Sequence, residues 1–312
     1  LGMMIHFVLQ ETENECLLDG GNTDVQRKLY LRELIARFAH HLAVTWNIGE
    51  ENGPADWTPV GQTDEQRKLM MTYIKKVNPY PGIVVLHTHS DERHQDLYLN
   101  PLLGFENLDG PSLQIGNPVN VNSRISKWAA ESGKTGKKWL VSLDEIGPSW
   151  KGVMPDSYDS SHDTVRYNCL WGTLLAGGTG VEWYFGYRYP DNDLNCEDFR
   201  SRENWWRQSA IATRFMLQFP IDEMKANNAR VNIKGAFCLE KTGEIYLVYL
   251  PAGSKNAGIY LPGDGDFSVK WFNPRNGGEY VEGTVLGIHG KGFKTLGYPP
   301  AETDMDWVVV VQ

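Results

Sequence analysis

Two stretches of the sequence end on adjacent acids. Leu42–Asn52 (LAVTWNIGEEN) closes on Glu50 and Glu51, and Lys138–Gly147 (KWLVSLDEIG) closes on Asp144 and Glu145. Each reads as an apolar strand that delivers carboxylates at its carboxyl end. Two carboxyls facing one another across a cleft suit cleavage of a glycosidic bond: one protonates the leaving oxygen while the other works at the anomeric carbon. One must stay protonated near neutral pH and the other ionised, so their surroundings must differ. Side chains alternate along a strand, which puts Glu51 with Ala43, Thr45, Asn47 and Gly49, opposite the bulky Leu42, Val44, Trp46 and Ile48. On this parity Glu51, rather than Glu50, is the expected general acid/base. In the second strand parity leaves the choice open. Trp139, Val141 and Leu143 share the face of Glu145, while Leu140 and Ser142 share that of Asp144.

Acids at the carboxyl ends of strands call for a parallel sheet with helical crossovers, and the rest of the chain supplies that alternation. Strands are expected to start at 3, 42, 82, 112, 138 and 181. Met3–Gln10 runs into the polar mouth ETEN; Gly82–His89 is GIVVLHTH, Ser112–Gly116 is SLQIG, and Val181–Tyr187 is VEWYFGY. Helices are expected from Thr23, from Thr63, over Asn122–Glu131, over Thr164–Ala176 and over Glu203–Phe219. The first two open with TDVQRKL and TDEQRKL, each with Gln three residues after Thr, the pattern of a capping box. In the first helix Val25, Leu29, Ile35, Phe38 and Ala39 approximate an apolar stripe. Six strand–helix units fall short of the eight that close a barrel. The expectation is therefore a (β/α)8 TIM barrel, an α/β fold, whose first two units are missing from this chain: absent from the gene model, removed by cleavage, or supplied by a separate N-terminal fragment or chain.

After Pro220 the texture changes. Val231–Leu239, Ile245–Leu250, Ala257–Leu261, Phe267–Phe272 and Trp307–Val311 read as short strands separated by Gly, Pro, Asn and Asp. The expected division is a barrel domain over 1–224 and a small β-sandwich over 225–312, the latter structural in role.

Composition sets outer limits. Hydrophobic residues at 41% and charged residues at 22% of the 312 are ordinary for a folded chain. A net charge of −9 without a basic tract argues against a nucleic-acid partner. No apolar run approaches the roughly 20 residues that span a bilayer, so no membrane partner is expected. The cysteines Cys16, Cys169, Cys196 and Cys238 lack metal-site spacing. Cys169 and Cys196 would pair only if their loops meet, and free buried thiols are the expectation. No signal peptide is visible, and the opening LGMMIHFVLQ reads like the middle of a domain. The 11 Trp and 14 Tyr residues provide either core or stacking platforms for sugars.

The chain resembles retaining glycoside hydrolases of the large clan built on eight-stranded barrels, and within it the apiosidase-like branch. The residues that carry the resemblance are WNIGEEN (46–52), LDEIG (143–147), LLAGGTGVEWYFGY (174–187) and DLNCEDFRSRENWW (193–206). The resemblance implies an acid/base after the fourth strand at Glu51, and a nucleophile after the seventh at Glu145. It also implies a carbohydrate substrate, no cofactor or metal, and a small terminal β-domain of the kind labelled collagen-binding, matching residues 226–312. A secreted or periplasmic setting is expected. Many clan members carry Asn immediately before the acid/base, where this chain has Glu50.

Helpers are expected around the pair. Asn47 lies on the face of Glu51, and His87 and His89 share one face at the end of their strand. Trp183 is placed to floor the sugar subsite nearest the cleaved bond, with Glu13 and Asn14 on the rim. Two rivals stand beside the hydrolase. The His87-Thr-His89 spacing also occurs where amidohydrolase barrels hold a metal. A non-catalytic sugar-binding barrel would bind glycans without cleaving them.

Overall fold

The computed structural model describes residues 4–312, so the expected strand start at Met3 lies outside the described residues. The chain divides into two compact units: residues up to Gly116 together with Lys127–Gly147, and Asn117–Ser126 together with Pro148–Gln312.

The first unit holds a parallel sheet in chain order: β1 (Ile5–Val8), β2 (Val44–Asn47), β3 (Ile83–His87), β4 (Gly110–Ile115) and β5 (Ser142–Ile146). Helices α1 (Val25–Phe38), α2 (Asp64–Val77) and α3 (Glu92–Leu99) connect the first four strands. Helix α4 (Val121–Lys134) leads to β5 and straddles the two units. Every residue of β2 is buried, as expected of a parallel strand covered on both faces. β1 pairs with β2 alone among the described residues, and Met4, Ile5 and Val8 are exposed along it. No helix among the described residues is long and apolar enough to cross a membrane.

Several local expectations are corrected. Leu42 is fully exposed and the organising strand begins only at Val44. The segment 138–141 is irregular, and the strand begins only at Ser142. In α1, Val25 and Leu29 face solvent, while Leu31, Ile35 and Arg27 turn inward. The Thr63–Gln66 capping box forms, with both reciprocal bonds made. Its twin at Thr23 does not: Gln26 Oε1 accepts from Asp19 N–H instead, and the Asp19 carboxylate takes the N–H of Arg27. Helix α3, capped by Asp91 accepting from His94 N–H, occupies a stretch with no expected element.

In the second unit β6 is only Gly180–Val181, and 182–187 is irregular, so VEWYFGY is not a full strand. The segment 163–174 is helical, but its middle, Arg166–Trp171, is wound as a π-helix. The helix Glu203–Met216 buries Trp205, Ile211 and Phe215. The antiparallel part comprises β7 (Lys225–Ala226), β8 (Phe237–Lys241), β9 (Ile245–Leu250), β10 (Gly258–Leu261), β11 (Asp266–Phe272), β12 (Gly287–His289), β13 (Gly292–Thr295) and β14 (Trp307–Val311). Six of these run in the order β12-β11-β14-β9-β8-β7, and β10 pairs with β13. Residues 232–235, expected to extend β8, are turns and bends that precede it, and Val231 makes an isolated bridge to Ile259. Tyr246, Val248, Ile259, Val269, Trp271 and Val309 share one apolar core. Cys169 and Cys238 are buried free thiols, whereas Cys196 is free and exposed.

The whole is mixed α/β, with a parallel sheet and separate antiparallel sheets.

Candidate active site

At or just past the carboxyl ends of β1, β2, β3, β4 and β5 lie Gln10, Asn47, His87, Gln114 and Glu145. Past β2 the backbone goes on donating to both neighbours in turn. Ile48 N–H reaches Val85 O at 3.0 Å, Glu50 N–H reaches Gln10 O at 3.0 Å, and Asn52 N–H reaches His87 O at 3.1 Å. Asn47 tightens the exit, its Oδ1 accepting from Gly49 N–H at 3.2 Å and from His87 N–H at 3.1 Å. Glu51 then takes φ +40°, a left-handed conformation that costs a residue with a β-carbon about 1–3 kcal/mol and recurs at functional sites. Gly53 follows at φ +106°, where an added Cβ would lie 2.6 Å from the Arg67 guanidinium. The sharp turn aims Glu51 back across the strand ends.

At β5 a bulge sends the two neighbouring acids to different partners. Leu113 pairs with Leu143 but Gln114 pairs with Glu145, so Asp144 is the extra residue. A bulge re-aims the side chains after it. Asp144 accordingly accepts from Ser142 Oγ at 3.0 Å and faces His6 Nδ1 at 4.0 Å, while Glu145 Oε2 lies 3.9 Å from His87 Nε2.

His87 links the two acids of interest. Its Nδ1 lies 3.2 Å from the Glu51 N–H. A backbone N–H only donates, so Nδ1 accepts and the ring proton sits on Nε2, the atom turned toward Glu145. His89 is completely buried, and its Nε2 lies 2.8 Å from Gly53 O. A carbonyl only accepts, so this nitrogen carries a proton. Its Nδ1 faces Glu51 Oε2 at 3.7 Å, beyond hydrogen-bond length, and makes no hydrogen bond. Two lone pairs would confront each other there; a proton on either atom turns the contact into an attraction. Among the described residues, neither His87 nor His89 belongs to a group of three ligand-bearing side chains close enough to share one ion.

The two acids at the end of β2 differ in charge state. Burial pushes the Glu51 carboxyl up, but His89, then the Trp57 N–H, then the Gln114 amide outweigh it and hold it below the usual carboxylate range. Glu50 goes the other way. A hydrogen bond shared with the Glu11 carboxyl, then burial, then the negative charges of Glu11, Glu145 and Glu51 push it up to about 8. Adjacent residues thus present one ionised and one protonated carboxyl at neutral pH, the division of labour that acid–base chemistry uses.

Of the residues singled out in the sequence, Glu51, Glu145, Asn47, His87 and His89 come together. Glu13 is exposed in the short turn Thr12–Asn14, and Asn14 Oδ1 accepts from the Glu11 N–H at 2.9 Å, closing its own loop. Trp183 belongs to the second unit, where it packs perpendicular to Trp205 with centroids 4.6 Å apart. Residues not singled out also converge. Glu11 is bonded to Glu50, Gln114 to Glu51, and Trp57 donates from Nε1 to Glu51 Oε2 at 3.3 Å. Their signals were slight: Glu11 opens ETEN and Gln114 stands at a strand end, but Trp57 lies in a loop without periodicity.

Neither a protein-family model nor a curated protein matches the sequence. Among solved structures, all of this chain aligns with 60% of a Bacteroides vulgatus protein assigned to the glycoside hydrolases, at TM-score 0.56 and 15% identity. The fold is similar to a glycoside hydrolase's. The chain therefore spans less than two thirds of that protein's length. A GH51 arabinofuranosidase from Xanthomonas axonopodis pv. citri aligns over 90% of this chain and 73% of its own, at TM-score 0.43 and 10% identity, too distant to bear on the site.

Proposed function

We propose that the chain carries the catalytic carboxyls of a glycoside hydrolase that cleaves an oligo- or polysaccharide with retention, Glu51 acting as acid/base and Glu145 as nucleophile. The observation that carries the reading is the bridge through His87, which takes the Glu51 backbone N–H on one nitrogen and turns the other toward Glu145. The loop of one acid and the strand of the other thus meet at a single imidazole. In the first step Glu145 attacks the anomeric carbon while Glu51 gives a proton to the leaving oxygen; in the second Glu51 takes a proton from water, which releases the sugar. Glu51 is ionised at rest, so the proton it donates is taken up from solvent as a bound sugar covers the carboxyl and adds to the burial that favours its neutral form. The test is a screen of plant and algal glycans with Glu145→Ala as control. Reducing ends released by the unsubstituted protein and not by the variant support the reading; no release from any glycan counts against it.

A second reading is favoured by one observation, the proton held on Glu50 by Glu11. Here Glu50 is the proton donor and Glu51 a fixed charge. The two separate on mutation: under the first, Glu51→Gln removes most turnover and Glu50→Gln spares much of it, and under the second the outcomes exchange. We also propose that the exposed edge of β1, with Met4, Ile5 and Val8 uncovered, is completed by further βα units that close an eight-stranded barrel. The support is the open edge itself, and intact-mass analysis with a search for a co-purifying polypeptide tests it.

A further inference from the structure

The loop after Glu51 is held with unusual firmness for a surface segment. Gly53 N–H donates to Glu15 Oε1 at 2.8 Å and Gln62 N–H to Glu15 Oε2 at 2.5 Å, so one buried carboxylate ties both ends of the loop. Gly53 O accepts from His89, and Pro54 O from the Tyr98 hydroxyl. Between them Ala55 and Thr58 exchange backbone bonds of 2.8 and 3.1 Å, closing a tight hairpin with Asp56 and Trp57 at its tip. The Trp57 ring stands perpendicular to His89 and nearly so to His94, with centroids 5.2 and 5.4 Å away, and its Nε1 donates to Glu51. Yet 57% of the residue stays open to solvent. The ring is fixed on several sides and neither imidazole stacks on it.

We propose that the open surface of Trp57 is a stacking platform for the sugar on the leaving-group side of the cleaved bond. The side follows from chemistry. An acid/base delivers its proton to the leaving oxygen, so a ring bonded to that acid lies beside the departing sugar. The placement thus rests on Glu51 as acid/base. An indole offers a large flat apolar face at little entropic cost when its rotamer is already fixed, and pyranose and furanose rings present C–H faces of matching size. Trp57 thereby selects for a saccharide leaving group over a small one, and its N–H helps keep Glu51 ionised in the resting protein.

The test uses the intact chain bearing Glu145→Gln, so that ligand is not consumed, with 5-fluorotryptophan in place of tryptophan. The Trp57 resonance is the one lost in Trp57→Phe. Xylobiose, cellobiose, arabinobiose and galactobiose are titrated in turn. At least one should shift the Trp57 resonance while that of buried Trp46 stays in place. Trp57→Ala should weaken binding of that disaccharide about 10-fold, and Trp57→Phe only about 2–3-fold, since a smaller ring remains. A Trp57 resonance that no disaccharide moves, or binding unchanged in Trp57→Ala, overturns the platform. Turnover is measured separately on the unsubstituted chain. Hydrolysis with an unmoved Trp57 leaves the enzyme and removes the platform; a moved Trp57 without hydrolysis leaves a stacking site and removes the enzyme.

Discussion

Replacing Glu50 by glutamine should make the protein more stable, and by an amount that depends on pH. A carboxyl held at about 8 instead of 4.5 is disfavoured in its charged form by about 5 kcal/mol, at 1.36 kcal/mol per pKa unit. Glu50 is half-buried and shares its proton with Glu11, and solvent screening and sharing reduce that figure to about 2 kcal/mol. Below the unfolded value of 4.5 both states hold the proton and the cost is nil. Between 4.5 and about 8 the unfolded chain has lost the proton and the folded chain keeps it, so stability falls as pH rises. Above about 8 the full cost is present. Glutamine cannot ionise, and its amide still donates to Glu11. Thermal unfolding of both proteins at a series of pH values should therefore show a small gap in midpoint near pH 5. The gap should widen by about 4–8 °C toward pH 9, taking about 2–4 °C per kcal/mol. A gap that is constant with pH, or that narrows as pH rises, would refute the shared-proton arrangement.

Other outcomes follow from the same contacts. Glu51→Gln should lower kcat by about 10²–10⁴-fold, the usual contribution of general acid–base catalysis; steady-state kinetics on the first glycan found active would show it. His87→Ala leaves the Glu51 N–H without an acceptor and should cost about 1–3 kcal/mol of stability by urea denaturation, together with a loss in kcat larger than any change in KM. In the second unit, Asp306 accepts from Arg166 at 2.9 Å and from Arg275 at 2.8 Å, with all three buried. Asp306→Asn should destabilise by about 3–5 kcal/mol at neutral pH. Burial pushes the Asp306 carboxyl up, but Arg166, Tyr249 and Arg275 hold it below its ordinary value. Its contribution is therefore complete above the unfolded value of 3.8 and is lost only as pH falls through the still lower folded value.

The order of strands could be read from the chain because parallel strands buried on both faces leave apolar runs, such as Val84–Leu86 within GIVVLH and Val44–Trp46 within LAVTW. The strand-end acids were visible for the same reason. What escaped depends on relations between distant segments. That Glu145 faces His87 while Asp144 faces His6 goes with a bulge against β4, a property of two strands in register and of neither alone. The near-identical starts TDVQRKL and TDEQRKL part company because Asp19, outside the motif, captures the Arg27 N–H at the first helix, with nothing equivalent at the second. The raised Glu50 carboxyl requires Glu11 at the end of a neighbouring strand. Trp57 could not be picked out because an exposed ring on a hairpin tip carries no periodic signature. Val25 and Leu29 mislead because residues at helical spacing need a neighbour to cover them, and here none of the described elements does.

The proposed division of labour between Glu51 and Glu145 is tested most directly by trapping. Once the glycan screen has named a sugar, the protein is incubated with its 2-deoxy-2-fluoro glycosyl fluoride, and the modified peptide is located by mass spectrometry. The reading predicts a single glycosyl adduct on Glu145, slow to turn over and absent from Glu145→Gln. An adduct on Glu50 or Glu51, or turnover of the parent glycoside with inverted anomeric configuration, would contradict it.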